Sequence, residues 1–171
     1  MSLPHDPLPT HARLLSSASQ LLAAAREAGG ESYASALPGP VARPDGKPLQ
    51  VLIVEDAPAI AERLADIVNR PGKVEVAATA ETEADALLAC ELTRFDLAII
   101  DLQLAQGTGF AIVRRLRSEG MGHPYVVVLT NHALPALESA SFQAGADLFL
   151  DKSKHFGRIG MIVDALAAPP A

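Results

Sequence analysis

The sequence has little of several residue types, and each shortage narrows the classes of protein to consider. Its 171 residues include one cysteine, no tryptophan and 4% aromatic residues. The single Cys90 excludes an internal disulfide and fits a reducing compartment. Basic residues are outnumbered, with 14 Lys and Arg against 20 Asp and Glu, and the net charge is −6. A nucleic-acid-binding surface is expected to be basic, so this balance argues against one.

Long apolar runs and targeting signals are also missing. No apolar run approaches the roughly 18 residues that a membrane-spanning helix requires. Residues 1–10 contain three prolines and lack the charged-then-apolar pattern of a secretory signal. The sequence therefore predicts a soluble, cytoplasmic protein without membrane or nucleic-acid partners, and one long enough to bury a proper core.

Composition divides the chain near residue 48. Seven of the thirteen prolines lie in residues 1–48, which show no strand pattern. Apolar residues recur there at helical spacing, and we predict an N-terminal extension with a helix over 11–28 and a Pro/Gly-rich linker over 37–48. Because one face of this helix is rich in leucine, we expect it to pack on the rest of the chain or on a second copy in a homodimer. The alternative is a weakly ordered helix in a flexible tail.

From Leu49 onward, β-branched runs alternate with amphipathic patterns. Strands are predicted over 49–54, 73–79, 95–100, 125–130 and 147–150. Helices are predicted over 57–69, 82–93, 107–119, 133–144 and 154–167, with Thr82 as the cap of the second. Five βα repeats of this length imply an α/β domain over 49–168, in which helices cover both faces of a five-stranded parallel sheet.

Four of the predicted strands lead into reactive side chains. Glu55 and Asp56 follow the first strand, Asp101 follows the third, Thr130 ends the fourth, and Lys152 comes shortly after the fifth. Because the carboxyl ends of parallel strands form one edge of a sheet, these groups are expected to meet. Each of them alone has an ordinary explanation as a helix cap, a turn residue or a solvated side chain. Their convergence instead predicts a site for a divalent cation and a phosphoryl group.

The chemistry of these groups supports that prediction. Carboxylates are the protein ligands that Mg²⁺ prefers. An aspartate such as Asp101 can attack phosphorus and form an acyl phosphate. Lys152 would place a compact positive charge on a phosphoryl oxygen, and Thr130 would hydrogen-bond another. Little else is required, because phosphoryl transfer depends mainly on positioning and charge stabilisation.

Four motifs occur in order along this domain, and their spacing is specific as a set. They are Val51 to Asp56, Asp96 to Asp101 with Gly107-Thr108-Gly109 after it, Val128 to Thr130, and Gly145 to Lys152. Together they resemble the receiver domain of the response regulators of bacterial two-component signalling. The resemblance implies a flavodoxin-like (βα)5 fold with strand order 2-1-3-4-5.

The resemblance also implies a function and a set of site residues. Asp101 would accept a phosphoryl group from a histidine kinase or a histidine phosphotransfer protein. Mg²⁺ would be bound by Glu55, Asp56, Asp101 and the backbone carbonyl of Gln103. Such a protein is a signalling phosphoacceptor and catalyses only its own phosphorylation and dephosphorylation.

The resemblance further implies that phosphorylation would change the protein's surface through the hydroxyl of Thr130 and the ring of Phe149. Thr130 would move toward the phosphoryl group, and Phe149 would turn inward and repack the face made by the fourth helix, the last strand and the fifth helix. Phe149 lacks the hydroxyl of a tyrosine, so a readout that needs that group is excluded. Gln103 and His132 are expected to flank the phosphoryl position and to tune the lifetime of the acyl phosphate.

The chain departs from the usual receiver pattern at three positions. Ser153 follows Lys152 where proline is common, Ala105 stands where proline often follows the acceptor, and Asn131 replaces the usual small residue after the threonine. None of these changes removes a chemical group of the predicted site. They bear on the geometry of the switch more than on phosphorylation.

Two alternatives to a phosphorylated receiver remain open. The first is a receiver-like binding scaffold that phosphorylation does not regulate, which Asn131 and Ser153 favour. The second is a metal-dependent phosphatase, but a haloacid-type enzyme needs a second aspartate two residues after the nucleophile, where this chain has Gln103. Only one helix is predicted between Lys152 and Pro169, so we expect no DNA-binding output domain and signalling through a downstream protein partner or a phosphorelay.

Overall fold

The computed structural model describes residues 37–169, and the helix predicted over 11–28 lies outside that range. The strands are β1 (Leu49–Val54), β2 (Val74–Ala80), β3 (Leu97–Ile100), β4 (Tyr125–Thr130) and β5 (Leu148–Asp151). The helices are α1 (Pro58–Val68), α2 (Glu83–Leu92), α3 (Gly109–Leu116), α4 (Pro135–Ala144), α5 (Lys152–His155) and α6 (Arg158–Leu166). Over the described residues, none of these helices has the length and apolarity needed to cross a membrane.

The five strands form one sheet in which every pairing is parallel. Their order is β2-β1-β3-β4-β5, which confirms the predicted 2-1-3-4-5 topology. In register, Val54 pairs with Ile100, and Thr130 pairs with Asp151. All the carboxyl ends therefore lie along the same edge, so residues that follow different strands in the chain are close in space.

The core lies on both faces of this sheet. All four residues of β3 are buried, as their continuous apolarity predicts for a central strand. On one face, α2 and α3 pack against the sheet through a buried cluster that includes Cys90 and Ile112. On the other face, α1 and α6 pack against each other. Cys90 is a free thiol in this core, where it contributes to packing.

The last predicted helix differs from the structure. A single helix was predicted over 154–167, and the structure instead has α5 directly after β5, a break at Phe156 and Gly157, and then α6. The early start has a local cause, because the carboxylate of Asp151 accepts a hydrogen bond from the N–H of Ser153 and caps the first turn. The guanidinium carbon of Arg63, which is on α1, lies 4.4 Å from the centroid of the Phe156 ring. The break between the two helices is therefore packed against α1.

The end of the predicted linker contacts the sheet domain. The backbone N–H of Val41 donates to the carbonyl of Leu166 at 2.9 Å, and the guanidinium of Arg43 donates to Asp96 at 3.0 Å. The same carboxylate of Asp96 accepts from the N–H of Gln50 in β1 at 2.8 Å. Residues from Val41 onward are therefore joined to the domain that contains the sheet.

Candidate functional site

Three carboxylates meet at the carboxyl edge of the sheet. Glu55 and Asp56 follow β1, Asp101 follows β3, and one oxygen from each lies within 4.8 Å of the others. Glu55 is 2% exposed and Asp101 is 6% exposed, whereas Asp56 is half-buried. Carboxylates this close repel one another unless a cation compensates them. The arrangement therefore requires positive charge at the same place.

Lys152 supplies part of that charge. Its ammonium donates to Asp101 Oδ2 at 2.6 Å and also to a carboxylate oxygen of Glu55. Burial lowers the pKa of Lys152, but its hydrogen bonds to Asp101 and Glu55 raise it, and the net direction is upward. Burial raises the pKa of Glu55 in spite of the attraction of Lys152. The lysine is therefore held as an ammonium against both buried carboxylates.

The loop after β3 is fastened to the same carboxylates. Asp101 Oδ1 accepts from the N–H of Gln103 at 3.1 Å, and Asp56 Oδ2 accepts from the N–H of Ala105 at 2.7 Å. The backbone of Gln103 also pairs with the backbone of Thr108 in an isolated antiparallel β-bridge. The backbone of Gln103 is therefore fixed beside Asp101, and the metal-binding role of its carbonyl stays a prediction.

The donor set fits a magnesium ion. Three carboxyl groups face one ammonium, and all the donors are the hard oxygens that Mg²⁺ prefers. Within residues 37–169, Glu55, Asp56 and Asp101 form the acidic group that could hold a metal ion. These are the same three side chains that were predicted as ligands.

Thr130 and Phe149 lie on one face of the sheet near this site. Thr130 is fully buried, and its Oγ1 accepts from the N–H of His132 at 3.3 Å. Val128 lies two residues before Thr130 and pairs with Phe149, so the alternation of side chains places all three on the same face. Phe149 is half-buried against the core cluster. The switch roles of the hydroxyl and the ring stay predictions.

The Gly107-Thr108-Gly109 motif seats α3 against the strand that carries Asp101. A Cβ atom on Gly109 would lie 2.3 Å from the backbone oxygen of Asp101 and 2.8 Å from Ile100 Cγ2. Thr108 caps α3 by accepting from the N–H of Phe110, and its own N–H donates to Glu83 at 2.8 Å. The sequence analysis used the motif for the family resemblance and placed it at the start of a helix over 107–119, but did not predict its close contact with β3. The two glycines around a capping threonine were the available signal of close contact.

The sequence analysis missed Asp151 and His155, which lie one residue before Lys152 and three residues after it. Asp151 Oδ1 accepts from the N–H of Ser153 at 2.8 Å and from its hydroxyl at 2.6 Å, and these bonds hold the pKa of Asp151 below its usual range. The N–H of Asp151 in turn donates to Nδ1 of His155 at 3.2 Å. Aspartate is a common residue at the start of a helix, but a helix of four residues gives no periodic pattern that would reveal the start.

Comparison with known proteins agrees with this geometry. Residues 51–164 match the family model of the response regulator receiver domain. The chain is 31% identical over 110 residues to the methanol utilization control regulatory protein MoxX of Paracoccus denitrificans, which covers 63% of this chain and 48% of that protein. It is 34% identical over 112 residues to the "Probable transcriptional regulatory protein TcrX" of Mycobacterium tuberculosis, and this match covers 64% of this chain and 46% of that protein. The chain thus spans about half the length of these curated relatives.

A solved structure agrees with the fold. The signal receiver domain of NarL from Mycobacterium tuberculosis superposes with a TM-score of 0.62 at 25% identity. The superposition covers 68% of this chain and 94% of that domain, so almost the whole of the solved domain has a counterpart here.

Proposed function

This chain belongs to the response regulator receiver family, and we propose that its Asp101 accepts a phosphoryl group in a Mg²⁺-dependent reaction. Receiver domains are signalling phosphoacceptors that interact with histidine kinases or phosphotransfer proteins. The proposed donor is accordingly the phosphohistidine of such a protein. The relatives extend well beyond the part that this chain matches, so the identity of its partners is part of the proposal.

One observation carries the proposal. A buried ammonium, that of Lys152, lies 2.6 Å from a carboxylate oxygen of Asp101 inside a group of three carboxylates. An ordinary buried ion pair needs one carboxylate for each ammonium, whereas here the ion pairs of the described carboxylates run to the single ammonium of Lys152. Surplus negative charge beside a nucleophilic carboxylate suits a divalent cation that in turn attracts a phosphoryl group.

The proposed transfer forms one bond and breaks one. A carboxylate oxygen of Asp101 bonds to phosphorus as the bond from phosphorus to the histidine nitrogen breaks, and that nitrogen keeps the electron pair. The product is an acyl phosphate on Asp101. Lys152 then has a phosphoryl oxygen to bind in place of a carboxylate oxygen. Glu55, Asp56, Asp101 and the carbonyl of Gln103 would hold Mg²⁺, which would supply charge compensation for the phosphoryl oxygens.

The proposed response uses the face of the sheet that carries Thr130 and Phe149. Phosphorylation adds a charge of about −1.5 to −2 beside Thr130. Its hydroxyl moves to the phosphoryl group, and the half-buried ring of Phe149 follows into the space it leaves. The repacked surface is read by a downstream protein or serves a further phosphoryl transfer.

We also propose that residues 49–168 are the signalling unit and that residues 1–48 are an extension. The predicted helix over 11–28 would pair with a second chain or pack on the domain. The mass in solution and the melting temperature of the full chain and of a variant without residues 1–36 test the packing of this helix, and the variant keeps the contacts of Val41 and Arg43. An unchanged oligomeric state together with an unchanged melting temperature would contradict the packing.

Metal dependence gives the first test of the proposed reaction. Incubation with Mg²⁺ and acetyl phosphate or phosphoramidate is expected to produce a phosphate-sized increase in intact mass. A chelator is expected to abolish the increase and added Mg²⁺ to restore it, because the carboxylate cluster would otherwise repel the donor. An increase of the same size under chelation would contradict the metal's role. No increase despite Mg²⁺ binding, measured by calorimetry, would favour the binding scaffold.

A further inference from the structure

We infer that His155 is a positioning residue for Lys152, acting through the backbone of Asp151. The inference rests on the proposed function, because it assigns to His155 the task of aiming the ammonium that serves the phosphoryl group. His155 lies three residues after Lys152, at the end of α5.

A reciprocal cap encloses Lys152. On one side, the carboxylate of Asp151 accepts from the N–H of Ser153; on the other, Nδ1 of His155 accepts from the N–H of Asp151 at 3.2 Å. This is the logic of a capping box, with an imidazole in the place of the usual glutamate or glutamine. The residue before Lys152 and the residue after it are therefore both held by these hydrogen bonds.

The helix that carries Lys152 needs such support. A single turn is unfavourable by itself, because it fixes several backbone dihedrals for very few hydrogen bonds, and α5 has four residues. Receivers commonly have a proline after this lysine, whereas this chain has Ser153, and its peptide bonds over the described residues are all trans. The cap formed with His155 therefore replaces a rigid residue as the constraint on the direction of Lys152.

The imidazole can do this only in its neutral form. Nδ1 accepts a hydrogen bond when it carries no proton, whereas both nitrogens of a histidinium are donors. Burial lowers the pKa of His155, and the charge of Arg158 lowers it further; Asp151 opposes this and Lys154 adds to it. These are the charged groups that α6, β5 and α5 place around the ring. Because the pKa of His155 in the folded protein lies below the ordinary histidine pKa of about 6.5, the ring stays neutral near pH 7 and the contact is lost as the pH falls through this lowered pKa.

Three substitutions separate positioning from packing. Asparagine can place its side-chain oxygen near the position of Nδ1, glutamine places its oxygen nearer to that of Nε2, and alanine has no acceptor. With the full chain, Mg²⁺ and acetyl phosphate, we expect His155→Asn to keep the initial rate of phosphorylation within about twofold of wild type. We expect His155→Gln and His155→Ala to be slower by about tenfold, as a displaced catalytic charge predicts.

The pH profile provides the second readout. The ratio of the wild-type rate to the His155→Asn rate is expected to be constant at neutral pH and to fall at acid pH, as the pH passes the lowered pKa of His155, because only the imidazole gains a proton there. Taking the ratio at each pH removes the effect of pH on acetyl phosphate itself. A merely structural role of the ring predicts a flat ratio.

The outcomes separate this inference from the proposed function. Failure of the wild-type protein to gain phosphate would overturn the proposed function, and the inference with it. A phosphorylated wild type with equal rates for His155→Ala and wild type would overturn the inference alone. Equal rates for His155→Asn and His155→Gln, together with a ratio of wild-type to His155→Asn rates that does not change with pH, would also overturn the inference. This second comparison remains available if His155→Ala fails to fold, because both amide variants keep a side chain of similar size.

Discussion

Replacing Lys152 by methionine is expected to slow the phosphorylation of Asp101 by about 100-fold or more, the usual cost of losing one preorganised charge donor. The ammonium lies 2.6 Å from Asp101 Oδ2, and methionine keeps much of its length without its charge. The variant is also expected to be less stable by about 3 kcal/mol, because Glu55 and Asp101 lose their buried partner. Initial rates of mass gain and urea unfolding measure the two effects.

Lys154→Met is the matched control. Lys154 is on the same short helix, carries the same charge and is 73% exposed, with Asp151 at 3.8 Å. Solvent-exposed pairs of this kind contribute about 0–1 kcal/mol, so the control is expected to remain close to wild type in both measurements. Mg²⁺ is also expected to stabilise Lys152→Met more than wild type, because the cation then compensates the whole acidic group. A phosphorylation rate for Lys152→Met within threefold of the control rate would rule out the proposed role of Lys152.

Replacing Gly109 by alanine is expected to destabilise the protein by about 1–3 kcal/mol, the usual cost of overpacking. The new Cβ would lie 2.3 Å from the backbone oxygen of Asp101, and neither this backbone nor the side chain of Ile100 behind it can move away freely. Helix α3 must shift from β3, or Asp101 must move. We therefore also expect slower phosphorylation, measured on samples that remain folded.

Gly157→Ala is the control for the added methyl group. An added Cβ at Gly157 meets nothing within 4 Å, and its φ of −66° suits alanine. This substitution is expected to be neutral, or to stabilise the protein by up to about 1 kcal/mol through the unfolded state. Equal melting temperatures for the two alanine variants would show that α3 can move away from β3 without cost.

Much of the fold could be predicted because local patterns agree with the global packing. Leu97–Ile100 is apolar at every position and forms a strand buried on both faces. Thr82 was predicted as a cap, and its hydroxyl does accept from the N–H of Asp85. The order of the strands came from the family resemblance rather than from periodicity, since five βα repeats are compatible with more than one order.

The site could be predicted as a meeting of strand ends but not as a set of contacts. Glu55, Asp101 and Lys152 were placed at one edge because each follows a parallel strand. That Lys152 donates to both carboxylates depends on side-chain conformations that no sequence pattern specifies. The bond from Asp151 to His155 was missed because α5 is too short to show helical spacing, and the sequence suggested one long helix in its place.

Intact mass after incubation with Mg²⁺ and acetyl phosphate tests the central claim most directly, when wild type is measured beside Asp101→Asn and Asp66→Asn. Asp66 is an exposed carboxylate on α1 and controls for the chemistry of the substitution. The proposal predicts a phosphate-sized gain in wild type and in Asp66→Asn, and no gain in Asp101→Asn. The same gain in Asp101→Asn would show that another residue accepts the phosphoryl group and would contradict the account.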